Sequence, residues 1–218
     1  MFEYNGLKFH WLGHDSFRIK NSDTIYIDPF QISTGIKANI ILITHEHFDH
    51  LSVEDIEKIS TQKTIIIGPN VAIKNLKGVT SDNIMVIKPG EKKKVLNSTI
   101  EAIPAYNINK FRSREAVFHP KDEGRLGYII TLNKIRIYHA GDTDFIPEIK
   151  NLKVDVAILP VSGTYVMTAK EASQVTNQIK PKVAIPMHYG SIVGDIHDAL
   201  KFQKLSKSKV EILKKEFN

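Results

Sequence analysis

The sequence predicts an α/β (α+β) fold, a four-layer αββα sandwich whose two mixed β-sheets pack face to face with helices on both outer faces. Three observations carry this expectation. Short strand-like runs separated by tight turns open the chain. Continuous aliphatic runs follow, such as residues 39–43, and an unbroken apolar run of that length marks a strand buried on both faces. Helical signals then come after strands in each half, so two strands-then-helices halves need two sheets with helices outside. No low-complexity linker or sequence repeat divides the 218 residues. One domain over residues 1–218 is expected.

Residues 7–12, 16–20 and 24–28 read as three strands, with Gly13 and Asn21-Ser22-Asp23 as turns. Their close spacing suggests an antiparallel meander. After the strand at 39–43, Ser52 is placed as an N-cap with Asp55 three residues on, and Val53, Ile56 and Ile59 form the apolar stripe of a helix. Residues 64–67 read as another buried strand, and Gly68-Pro69 opens a short helix expected to run through residue 76 and to end near Gly78. In the second half, 99–104, 127–132, 135–138 and 154–159 read as strands. Thr168 and Glu171 have capping-box spacing, opening a helix to residue 179 that Pro181 stops. A strand at 182–185, a helix at 195–205 and a closing strand at 209–213 complete the chain. The long segment without periodicity is 107–123, and loops of that length in compact domains are often functional.

Composition narrows the chemistry. The 42% hydrophobic and 25% charged fractions are those of an ordinary globular protein. There is no cysteine, so a metal site must be built from His, Asp and Glu. Neither a signal-peptide start nor an apolar run approaching ~20 residues occurs, and the expectation is a soluble, cytoplasmic protein with no membrane partner. The net charge is +6. Lys92-Lys93-Lys94 and Lys214-Lys215 read as solvated surface rather than a nucleic-acid patch, while the positive surplus favours a small, anionic substrate.

The densest chemistry lies in Thr44-His45-Glu46-His47-Phe48-Asp49-His50, directly after the strand at 39–43. Alternate residues of an extended segment share a face, so His45 and His47 can point the same way. Asp49 and His50 fall in the turn before the next helix and can aim at a second point. Imidazole and carboxylate are the ligands that Zn²⁺ and similar divalent cations prefer. Two further polar points follow apolar strands: Tyr138-His139-Ala140-Gly141-Asp142-Thr143-Asp144 and Pro186-Met187-His188-Tyr189-Gly190.

An H-x-H-x-D-H cluster, a downstream Gly-Asp and a downstream His, in this order along nearly the whole chain, resemble the metallo-β-lactamase-fold hydrolase superfamily. Trp11-Leu12-Gly13-His14-Asp15-Ser16-Phe17, Ile27-Asp28-Pro29 and residues 138–143 look like its uncharacterised metal-dependent hydrolase branch, related to ascorbate-lactonase-type enzymes. The resemblance implies that His45 and His47 hold a first metal and Asp49 and His50 a second. Asp142 would bridge the two and His188 would complete the second site. The cofactor implied is two Zn²⁺ per chain, with Mn²⁺ or Fe²⁺ able to use the same ligands. A water shared between the metals would become the nucleophile, and Asp49 would be the catalytic group that orients it or shuttles a proton.

One departure stands out. The superfamily supplies a third histidine to the first metal after the strand preceding the Gly-Asp hairpin, where this chain reads Ile103-Pro104-Ala105-Tyr106-Asn107. His119 in the long irregular segment is the preferred replacement, with Tyr106 or water as alternatives. Of the remaining histidines, His14 is divided between orienting a ligand and a structural hydrogen bond. His139 is read as core or as a support behind the ligands, His10 as a strand-face residue and His197 as a helix-surface one. Asp28 is expected to buttress a ligand histidine.

The leading function is a metal-dependent hydrolase acting on an ester, lactone or phosphodiester, since fold does not fix substrate. Lys110, Arg112, Arg114 and Lys121 are candidates to meet an anionic group or to be a solvated basic loop. A nuclease acting on RNA or DNA ranks lower, because the superfamily's nucleases carry an inserted domain for which this chain has no room. The third reading is a degenerate metal-binding regulatory module, motivated by the missing histidine. The sequence leaves the oligomeric state open.

Overall fold

The structure is a computed structural model that describes residues 1–32 and 35–216. The chain forms two compact units. One comprises Met1–Lys88 with the C-terminal residues from Leu213 on, and the other Pro89–Ile212. Each holds one mixed, seven-stranded sheet, in line with the expected α/β class.

In the first unit the strands are β1 (Phe2–Tyr4), β2 (Leu7–Gly13), β3 (Ser16–Lys20), β4 (Thr24–Ile27), β5 (Ile40–Leu42), β6 (Ile65–Gly68) and β7 (Asn83–Val86). They lie in the sheet in chain order. β1 to β4 form the expected antiparallel meander, and β4 to β7 are parallel. Helix α1 (Val53–Ile59) returns the chain from β5 to β6, and α2 (Asn70–Ile73) from β6 to β7. The Ser52 hydroxyl accepts from the Asp55 N–H and so caps α1. Ile56 and Ile59 of α1 pack with Ile41, Ile43 and Ile66 in one buried cluster. Residues 40–43 are all buried, as their unbroken aliphatic run implied.

The second unit repeats the plan. Its strands are β8 (Lys92–Val95), β9 (Ser98–Pro104), β10 (Leu126–Leu132), β11 (Ile135–His139), β12 (Val156–Pro160), β13 (Val183–Met187) and β14 (Lys209–Val210), again in chain order across the sheet. β8 to β11 are antiparallel, and β11 to β14 parallel. Helix α3 (Ala169–Ile179) follows β12 and α4 (Ile196–Leu205) follows β13. Both open on capping boxes, Thr168 with Glu171 and Asp195 with Asp198.

Some boundaries differ from the sequence reading. β1, β7 and β8 were not expected. The closing strand is β14 alone rather than 209–213, and α2 stops at Ile73 instead of 76. β1, β7, β8 and β14 are the four sheet edges. An edge strand is covered less completely and carries a weaker apolar pattern. β8 is the lysine run 92–94, whose charged side chains protect an open edge from further pairing. Among the described residues, no helix is long and apolar enough to cross a membrane.

Candidate metal centre

In both units the titratable side chains gather just beyond strand carboxyl ends, where α/β sheets habitually place their ligands. In the first unit β5 runs into Thr44 and the histidine cluster. His45, His50, Asp28 and Thr44 are buried, whereas His47 is partly exposed. Asp28, at φ +46° just past β4, organises the group. One of its oxygens accepts from the Thr44 N–H at 2.8 Å. The other accepts from the Thr44 hydroxyl at 2.6 Å and contacts His50 Nδ1 at 2.8 Å. A carboxylate can only accept, so His50 carries its proton on Nδ1, and Nε2 is the nitrogen with a lone pair for a metal. The Thr44 hydroxyl, having spent its proton on Asp28, accepts from His45 Nδ1 at 3.0 Å. That again makes Nε2 the candidate ligand atom, and His45 Nε2 stands 3.1 Å from His47 Nδ1.

His50 Nε2 faces carboxylates on the same unit: Asp49 Oδ2 at 3.8 Å and Asp15 Oδ2 at 3.7 Å. His14, from the turn between β2 and β3, comes within 3.1 Å of that Asp49 oxygen. The ligand atoms of His14, Asp49 and His50 all lie within 4.8 Å of one another.

In the second unit Asp142 is central. Its Oδ2 lies 3.5 Å from His119 Nε2 and 3.4 Å from His188 Nε2. All three residues are buried. His188, at φ +59° directly after β13, contacts the Ser162 hydroxyl through Nδ1 at 2.9 Å. His119 Nδ1 lies 2.8 Å from Asn107 Oδ1. In each ring the far nitrogen is engaged and Nε2 is turned toward Asp142. Around a tetrahedral ion with bonds of ~2.1 Å, neighbouring ligand atoms stand ~3.4 Å apart. The separations within each unit suit a cation, and the His/Asp donors suit a divalent one.

The irregular segment 107–123 is tied down rather than loose. Phe111 and Val117 form an antiparallel bridge, which makes a miniature hairpin. Asp144 Oδ2 accepts from the Ile108 and Asn109 N–H groups at 2.7 and 3.0 Å. Lys110 pairs with Asp144 and with Glu171. Tyr106 is turned to other partners: its hydroxyl donates to Glu148 at 2.9 Å, with Lys121 over the ring. Burial, with that hydrogen bond, raises the Tyr106 pKa, so the phenol stays protonated. Burial works to raise Glu148 as well, but its bonds to Lys121 and Tyr106 outweigh this and hold it low. Lys110 and Lys121 are thus engaged internally, while Arg112 and Arg114 are exposed.

The sequence reading did not single out Thr44, Asn107 or Ser162, each of which meets the far nitrogen of a candidate ligand. For Thr44 a signal existed, its position between a buried strand and the first histidine. His139 is buried, its Nδ1 accepting from the Gly141 N–H at 3.3 Å, and His197 is exposed on α4. His10 contacts Glu216 at 2.7 Å.

Comparison with known proteins shows the family and the fold. The sequence model of a family described as Beta-lactamase superfamily domain matches residues 8–188. A UPF0173 metal-dependent hydrolase from Thermococcus onnurineus is 31% identical, with 95% of each chain covered. A crystal structure from Parabacteroides distasonis, assigned to the metal-dependent hydrolases, superposes with a TM-score of 0.82 at 34% identity, covering 94% of this chain and 92% of that one. The metallo hydrolase Igni18 from Ignicoccus hospitalis has the same fold, with a TM-score of 0.75 at 23% identity and 95% of each chain covered.

Proposed function

The chain belongs to the beta-lactamase superfamily, among its metal-dependent hydrolases, and from that premise we propose that it uses two divalent cations, Zn²⁺ being the best match to the ligands. His45, His47 and His119 would hold one, and Asp49, His50 and His188 the other, with Asp142 available to both. The order of these residues along the sequence supports the assignment. The observation that carries the reading is Asp142 Oδ2 between two buried imidazoles, 3.5 Å from His119 Nε2 and 3.4 Å from His188 Nε2. A carboxylate shared by two cations would offset their mutual repulsion.

When bound, the cations supply Lewis acidity, which brings the pKa of water down toward ~7 and polarises the scissile centre. The protein's own side chains do the rest. Asp28, Thr44, Asn107 and Ser162 hold the imidazole rings in orientation. Asp49 orients the attacking water and passes its proton to the leaving group. The exposed Arg112 and Arg114 attract a small anionic ester, lactone or phosphodiester.

The test combines metal content with activity. The purified protein should hold two equivalents of metal per chain, and hydrolysis on a panel of esters, lactones and phosphodiesters should vanish in His47→Ala and Asp142→Ala while both variants stay folded. Full activity in either variant would overturn the assignment. One equivalent of metal and no hydrolysis would favour the degenerate module, and RNA cleavage that weakens steeply with salt the nuclease.

A further inference from the structure

The turn that joins β2 to β3 delivers an imidazole that the ligand motif does not count. Gly13 and His14 have φ of +113° and +49°. A non-glycine residue in that region persists where its surroundings over-determine it. Here the Trp11 indole N–H donates to the His14 carbonyl at 2.9 Å, and the ring itself is buried. The turn brings His14 Nε2 to 3.1 Å from Asp49 Oδ2 and 3.3 Å from Asp15 Oδ2. That spacing matches the 3.1 Å between His45 Nε2 and His47 Nδ1. It is also close to the ~3.4 Å expected between neighbouring donors on one tetrahedral ion. Asp15 is wholly buried and Asp49 largely so. Two buried or largely buried carboxylates beside imidazoles make the donor set of a divalent cation, and the ligand atoms of His14, Asp49 and His50 all lie within 4.8 Å of one another.

We propose that His14 Nε2 is itself a metal ligand, joining Asp49 and His50 on the cation assigned to that pair. The proposal rests on the metal-dependent reading and adds a donor that the family's motif does not include. The competing role is a hydrogen bond from His14 to Asp49. The two differ in one proton: a ligating Nε2 carries none, whereas a hydrogen-bonding Nε2 is protonated.

The experiment uses the full-length protein labelled with ¹⁵N at histidine, stripped with chelator and reloaded with Zn²⁺. Metal content is measured first, and ¹H–¹⁵N correlation spectra of the rings are then recorded. His14→Gln identifies the His14 signals; should that variant fail to fold, sequential assignment of the parent protein gives the same information. The expected result is that His14 Nε2 has no attached proton and shifts with the other metal-bound nitrogens on Zn²⁺ addition. In His14→Gln, Zn²⁺ affinity for one equivalent should fall by more than about 100-fold, beyond what loss of an outer contact produces. A protonated Nε2 in the loaded protein overturns the proposal and leaves the metal-dependent reading intact. A parent protein that takes up no Zn²⁺ overturns both, and the metal content shows this before any spectrum is read.

Discussion

Asn107 Oδ1 accepts from both the backbone N–H and the ring Nδ1 of His119, at 3.0 and 2.8 Å. The Asn107 N–H in turn donates to the His119 carbonyl at 2.8 Å. One side chain therefore sets the position, ring angle and tautomer of a histidine that arrives from an irregular segment. Asn107→Ala should leave the fold in place but lower metal affinity about 10- to 100-fold. Asn107→Asp, which keeps the acceptor, should restore most of it. Competition with a chromogenic chelator reads this out, and unchanged affinity in the alanine variant would sink the idea.

Asp28 serves three buried donors: the Thr44 N–H, the Thr44 hydroxyl and His50 Nδ1. Asp28→Ala leaves all three without that acceptor. At ~1–3 kcal/mol for each buried group left unsatisfied, the loss should be about 3 kcal/mol or more. Urea unfolding of the metal-free protein measures it; a loss under about 1 kcal/mol would mean that water or another side chain replaces the carboxylate.

Glu171 predicts a pH dependence. Burial by itself would raise its pKa, but the Thr168 backbone, Asn109, Lys110 and the Thr168 hydroxyl together lower it from 4.5 to about 2. A depressed carboxylate pKa contributes stability above the unfolded value and loses it as pH falls through the folded one. The melting temperature of the parent protein should thus exceed that of Glu171→Gln by a constant margin above pH 4.5, with the gap closing as the pH falls toward about 2. A gap of the same size at pH 2 and pH 7 would refute the ionic contribution.

Gly127 on β10 faces the end of β11. A Cβ placed there would lie 2.5 Å from the Ala140 carbonyl oxygen and 2.8 Å from that of His139. Backbone atoms cannot yield as a flexible side chain would, so Gly127→Ala should cost about 2 kcal/mol or more. The strain falls two residues before Asp142, so metal affinity should drop with it. Calorimetric melting and metal titration would record both effects, and a variant as stable as the parent would contradict this packing.

The interior strands could be read from the sequence because burial on both faces forces an unbroken aliphatic run, as in residues 40–43. The four edges lacked that constraint. Lys92-Lys93-Lys94 reads as solvated surface whether it is loop or strand, and it forms β8 through pairing with β9. The candidate ligands were legible because imidazoles at H-x-H-x-D-H spacing are seldom accidental. Their supports were not. Asn107 and Ser162 are ordinary loop residues until the chain folds them against His119 and His188. His14 was visible as part of a motif, but its 3.1 Å approach to Asp49 depends on two turns 35 residues apart.

The clasp between Asn107 and His119, with the Phe111–Val117 bridge above it, separates two jobs within one segment. The base is fixed to the candidate ligand set, whereas the tip carries exposed Arg112 and Arg114. Changes of length or charge at the tip should therefore be absorbed above the clasp, with the Asn107–His119 contacts kept. Exposed charge and candidate metal donor thus occupy separate ends of one segment.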